Sequence, residues 1–142
     1  MPELVNGIPS DIDLSLIKFY RENPIIATQD LLNVDLADVQ QVVMNSYWFK
    51  TFVMTVASRG FGKTFMFAVY ACLRALLYPG TRIGFLAPTF RQSKFIFAEV
   101  DKIYGLSPIL QSACAKPPVK ASDRCYLQFN GTTGRTGRHL HI

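Results

Sequence analysis

Cysteine is sparse and unpatterned in this chain. Cys72, Cys114 and Cys125 make an odd count of three with no C-x-x-C pair, so neither a disulfide framework nor a zinc site is indicated. Cys72 falls in an apolar helical stretch and reads as a core filler. Histidine is scarcer still. His139 and His141 would face one side of a strand, but two ligands are too few for a metal site, and a frayed terminus is the plainer reading. Charged residues reach only 18% against 49% apolar, which argues against disorder and for one small domain with a real core. No hydrophobic run is long enough for a bilayer. The most apolar stretch, Phe65–Leu77, is short and contains Arg74. Met1-Pro2-Glu3-Leu4 has neither the basic flank nor the apolar block of a signal peptide. A soluble intracellular protein is expected.

Acidic residues run out early. Residues 1–47 hold Glu3, Asp11, Asp13, Glu22, Asp30, Asp35 and Asp38 against Lys18 and Arg21, a net of −5, whereas residues 48–142 carry thirteen Lys or Arg against Glu99, Asp101 and Asp123, a net of +10. A basic C-terminal part suits a polyanion, nucleotide or nucleic acid. An ordinary solvated surface is the other reading of the same charge.

What is present is concentrated in Ala57-Ser58-Arg59-Gly60-Phe61-Gly62-Lys63-Thr64. Before it stands the β-branched and aromatic run Thr51–Val56, short enough for a buried strand. After it comes a long helical pattern. Strand, glycine loop, lysine, hydroxyl and helix form the layout of a phosphate-binding loop. Gly60 and Gly62 let the backbone turn tightly and approach a phosphate. Amide N–H groups at the helix start then face the anion, aided by the helix dipole. Lys63 would reach the β- and γ-phosphates, and the Thr64 hydroxyl would bind Mg²⁺. The pattern is G-x-x-x-x-G-K-[ST] with Ala57 in place of the first glycine.

Around the loop the spacing predicts a helix over 14–22, capped by Asp11 or Asp13 and ended by Asn23-Pro24. An irregular link over 25–35 follows. A second helix is predicted over 36–47, with Asp35 as N-cap and Leu36, Val39, Val43 and Tyr47 on one face. Strand one is predicted over 52–57, a helix buried on several sides over 64–77, and strand two over 82–87. A helix follows over 90–104, capped by Thr89 and ended by Gly105, with Phe95, Ala98 and Ile103 inward. Residues 105–122 read mainly as loop, and 125–129 as a further strand. Strand, helix, strand, helix, strand at this spacing predicts a three-layer α/β fold with a parallel sheet flanked by helices, incomplete at its C-terminal end. Three parts are expected: a helical segment over 1–47, a partial phosphate-loop core over 48–130, and a flexible Gly/Thr/Arg tail over 131–142.

These segments together resemble the N-terminal ATPase region of the large terminase subunits, the DNA-packaging motors of tailed bacteriophages. The loop Ser58-Arg59-Gly60-Phe61-Gly62-Lys63-Thr64 resembles that family's variant loop, with a basic residue inside it. Leu36-Ala37-Asp38-Val39-Gln40 is similar to its adenine-side segment, and Leu86-Ala87-Pro88-Thr89-Phe90-Arg91-Gln92-Ser93 to the segment after its second strand. The resemblance covers roughly residues 14–130.

It implies ATP and Mg²⁺ as cofactors, held by Ser58, Gly60, Phe61, Gly62, Lys63 and Thr64, with Thr64 on the metal. Arg59 and Lys63 would act on the transferring phosphoryl group, and Gln40 would bond the adenine edge. The plainer alternatives are a surface arginine for Arg59 and a solvent-facing helix residue for Gln40. Arg91, Gln92 and Lys94 would meet DNA phosphates or form a solvated first turn. The implied partners are double-stranded DNA, a capsid portal and a small terminase subunit, in a ring of identical copies within the cytoplasm of an infected or lysogenic bacterium.

One departure stands out. The family's buried strand ending in Asp-Glu, which organises Mg²⁺ and activates the attacking water, has no counterpart: none of Glu99, Asp101 and Asp123 follows an apolar strand. The family's nuclease part has no counterpart either. The resemblance therefore implies the front part of a motor, with weak nucleotide binding and little turnover. A helicase-like ATPase and a non-catalytic nucleotide-binding or interaction module are the alternatives.

Overall fold

The structure, a computed structural model, describes residues 11–58, 60–78, 82–114, 117–120, 125–128 and 139–141. Helix dominates it. Six helices run in chain order: α1 Asp11–Glu22, α2 Pro24–Leu32, α3 Asp38–Phe49, α4 Lys63–Leu77, α5 Phe90–Leu106 and α6 Pro108–Ala113. Among the described residues, strand is confined to β1 Arg82–Gly84, β2 Val119–Lys120, β3 Cys125–Gln128 and β4 His139–His141.

α4 is the centre of the molecule. Its sequence KTFMFAVYACLRALL is apolar nearly all round, and Met66, Ala68, Val69, Ala71, Cys72, Leu73, Ala75 and Leu77 are buried. It packs against α5 on one side and α2 and α3 on others, which bring Phe97, Val100, Ile103, Leu32, Met44 and Trp48 into the same core. Each fully buried Leu, Phe or Met side chain contributes about 1.5–3 kcal/mol, so this helix anchors everything around it.

Polar contacts fix the N-terminal helices to α4. The Arg21 guanidinium donates two hydrogen bonds, 2.9 and 2.6 Å long, to the Leu77 carbonyl that ends α4. Trp48 of α3 donates from Nε1 to the Arg21 carbonyl at 2.7 Å. Tyr78 lies between two guanidinium groups, Arg21 at 4.5 Å and Arg74 at 4.2 Å from its ring centroid.

The three-layer fold with a parallel sheet is not what the chain forms. Residues 52–57, expected as the first strand, carry no strand at all. Phe52 is 93% exposed, and Met54 and Val56 are each 89% exposed. A central parallel strand is covered on both faces, so these side chains exclude that role. The second expected strand shrinks to the three residues of β1, and Leu86, meant to lie in it, is 98% exposed. The strand pairs are also mostly of the wrong sense: β2 with β3 and β3 with β4 are antiparallel, and β1 with β4 is parallel. The physical reason is that β-branched composition marks a segment able to join a sheet, whereas a sheet needs neighbouring strands, and 52–58 has none among the described residues.

Smaller differences follow the same logic. α2 occupies most of the expected link, started by Pro24 and stopped by Asn33 in the left-handed conformation, φ 55°. α6 occupies part of the expected loop 105–122, with Ser107 accepting from the Leu110 N–H at 3.1 Å. α3 begins after Ala37, so Asp35 is not its cap. Ile103 is buried as expected, but Phe95 and Ala98 face solvent. Thr89 does cap α5, accepting from the Gln92 N–H at 3.3 Å. No helix among the described residues is long and apolar enough to cross a membrane.

Candidate functional site

The site is built where the extended segment turns into α4. Gly60 and Gly62 both adopt positive φ, +86° and +87°, a conformation that L side chains rarely take. Between them, the Phe61 N–H faces the Ser58 carbonyl at 3.5 Å, which closes a tight turn. Gly62 is the left-handed N-cap of α4, and its carbonyl accepts the first helical bond, from Met66 N–H at 2.8 Å. The cap supplies no side-chain hydrogen bond, and the first-turn amides of Lys63, Thr64 and Phe65 have no acceptor within the helix. Those donors and the positive end of the helix dipole are the elements of an anion site.

The expected phosphate-loop residues Ser58, Gly60, Phe61, Gly62, Lys63 and Thr64 therefore lie together around one helix start. Arg59 lies outside the described residues. Lys63 opens α4, and its ammonium donates to the Ala57 carbonyl, folding the side chain across the base of the loop. Thr64, half-buried, follows in the first turn.

Gln40 is brought to the loop from α3. Its Oε1 accepts from the Ala37 N–H at 3.1 Å, and its Nε2 donates to the Phe61 carbonyl at 3.2 Å. Nε2 also lies 3.2 Å from where a Cβ on Gly62 would stand. A side-chain amide has two N–H donors and two lone pairs, so half of its capacity is used here. The family resemblance implied a base-edge role for Gln40, with a solvent-facing helix residue as the alternative. It did not show the side chain tying the α3 start to the loop, although Gln three residues after a helix N-cap is a known capping pattern.

The loop geometry fits a phosphate chain: two left-handed glycines, Gly60 open and Gly62 against Gln40, first-turn amides without a side-chain cap, and a lysine. For Mg²⁺ the same loop offers two side-chain oxygens, the hydroxyls of Ser58 and Thr64, and no carboxylate. Among the described residues no group of three or more His, Cys, Asp or Glu is positioned to hold a metal. Glu99 and Asp101 are on α5, paired with Lys102 at 3.1 Å and Lys120 at 2.6 Å, and Asp123 lies outside the described residues. Of the residues suggested for DNA phosphates, Arg91 and Gln92 are exposed and Lys94 sits 4.7 Å over the Phe90 ring. A scan against protein-family models finds no match for this chain, and a search of curated proteins finds none either.

Proposed function

We propose that the loop 58–64 binds the phosphates of ATP, and that the chain is the ATP-binding part of a viral DNA-packaging motor of the large-terminase kind. The observation that carries the first half is the pair of left-handed glycines, Gly60 and Gly62, leading directly into Lys63 and an α4 start without a side-chain cap. The resemblance in residues 36–40, 58–64 and 86–93 supports the second half. On this reading Lys63 and the first-turn amides hold the β- and γ-phosphates. Thr64 supplies one ligand to a Mg²⁺ that arrives with the nucleotide, and the unused half of the Gln40 amide is available to a base. Arg59 is assigned the charge on the transferring phosphoryl group. Coupling of hydrolysis to translocation of double-stranded DNA, a portal, a small subunit and a ring of copies belong to the same proposal for the full-length motor.

A non-catalytic nucleotide-binding module is the second reading, favoured by the engagement of Glu99 with Lys102 and of Asp101 with Lys120 of β2. Among the described residues no carboxylate is bonded to the loop, so none is in place there as a general base for water. Amide shifts of ¹⁵N-labelled protein on titration with Mg²⁺-ATP and with AMP test the loop. Shifts at Gly60–Phe65 with ATP and not with AMP support it, and equal shifts or none there contradict it. Phosphate release above background that disappears in Lys63→Ala would select the catalytic reading over the non-catalytic one.

A further inference from the structure

One to two turns along α4 from the loop, an open cleft of about 190 Å³ is lined by Tyr47, Lys50, Thr51, Val53, Phe67 and Tyr70. Its walls are aromatic. Tyr47 and Phe67 stack with 5.6 Å between ring centroids at 27°, and Tyr70 stands edge-on to Tyr47 at 5.9 Å and 70°. The Tyr47 hydroxyl and Thr55 Oγ1 are hydrogen-bonded at 2.6 Å, which fixes the ring against the extended segment. Phe67 remains partly exposed, at 37%, so the described residues do not finish covering this wall. Lys50 and Thr51 at the mouth are exposed, and Lys50 forms no salt bridge among the described residues.

Size, shape and charge converge on one ligand class. A dry apolar cavity of about 150 Å³ takes up benzene, so this volume admits one six-membered ring with a small substituent. Aromatic walls hold a ring by offset stacking and edge contacts. An exposed ammonium, without an ion pair among the described residues, beside a hydroxyl favours a substituent with negative charge. We propose that this cleft binds a single-ring aromatic carboxylate, ring against Phe67 and Tyr70, carboxylate at Lys50. The site is separate from the phosphate loop, whose own cation, Lys63, is turned to Ala57.

Phenylacetate is the probe, titrated into ¹⁵N-labelled full chain, with phenylacetamide as its neutral twin and Lys50→Gln as the variant. Expected are saturable shifts at residues 50–53 and 67–70, with a dissociation constant on the order of millimolar for so small a ligand. Both Lys50→Gln and the amide twin should weaken binding by about two- to fivefold, the range for an exposed ion pair. Lys50 is exposed and outside the core, so its replacement leaves the fold intact. No saturable shift overturns the proposal. So does equal binding of acid and amide, and so does displacement of phenylacetate by Mg²⁺-ATP, which would make the cleft the base end of a nucleotide site.

Discussion

Replacing Gly62 by alanine should strike both the loop and the contact that fastens α3 to it. At φ +87° and ψ 33° the N-cap backbone is left-handed, which costs an L residue about 1–2 kcal/mol. The new methyl would also stand 3.2 Å from Gln40 Nε2. A side-chain tip usually yields to such a contact cheaply, but Gln40 is held at both ends, by Ala37 N–H and by the Phe61 carbonyl. Moving it forfeits a hydrogen bond worth about 0.5–1.5 kcal/mol net. Gly60→Ala is the control, because Gly60 has nearly the same φ and nothing within 4 Å of its added Cβ. Gly62→Ala should therefore destabilise the chain by about 0.5–1.5 kcal/mol more than Gly60→Ala. Urea unfolding followed by the fluorescence of Trp48, the one tryptophan and a buried one, measures both. A cycle with Gln40→Ala isolates the coupling. Equal costs at the two glycines, with no coupling to Gln40, would refute the bridge between α3 and the loop.

Three further outcomes follow from the packing and the buried groups. Trp48→Phe keeps one aromatic ring but loses the indole's second ring and the 2.7 Å bond to the Arg21 carbonyl; a loss of about 1–3 kcal/mol is expected in thermal melts, and an unchanged midpoint would contradict it. Burial pushes the Cys72 thiol up from its ordinary value, with Cys114 adding to the shift. Above about pH 8.5 the unfolded chain then loses a proton that the folded chain keeps, so stability falls with rising pH by at most about 1.4 kcal/mol per unit. Tyr20, raised by burial and by Asp30, acts in the same direction at higher pH. Urea melts from about pH 8 to about pH 10 should show a shallower decline for Cys72→Ala than for the native chain, and parallel curves would count against the buried thiol. Met54→Lys, at a position 89% exposed in an uncharged segment, should reduce self-association in sedimentation runs by replacing an exposed apolar side chain with a charge; unchanged association would show that this segment is not the adhesive one.

Much of the helical part was legible from local chemistry. α4 was placed within one residue because its all-round apolar sequence follows Gly62-Lys63-Thr64, and Thr89 announced α5. Helix signals that were present but outweighed account for α2 and α6: proline at the first helical position, Asn33 able to take a left-handed cap, and Ser107 before Pro108. β1 and β3 fall inside the strands expected over 82–87 and 125–129, but the sheet's pairing was not legible. Thr51–Val56 has the composition of a buried strand, yet pairing and burial come from distant segments, and no local pattern supplies them. At the site, glycine and lysine spacing predicted the turn and the helix start. The Gln40 bridge and the aromatic cleft at Tyr47, Phe67 and Tyr70 depend on how α3 lies along α4, which periodicity alone does not set.

The central claim is that the α4 start is a working phosphate loop. Titration calorimetry of Mg²⁺-ATP into the native chain and into Lys63→Ala tests it most directly. The account predicts saturable heat for the native chain that vanishes in the variant while both remain folded. Equal heats in the two, or none from a folded native chain, would contradict it.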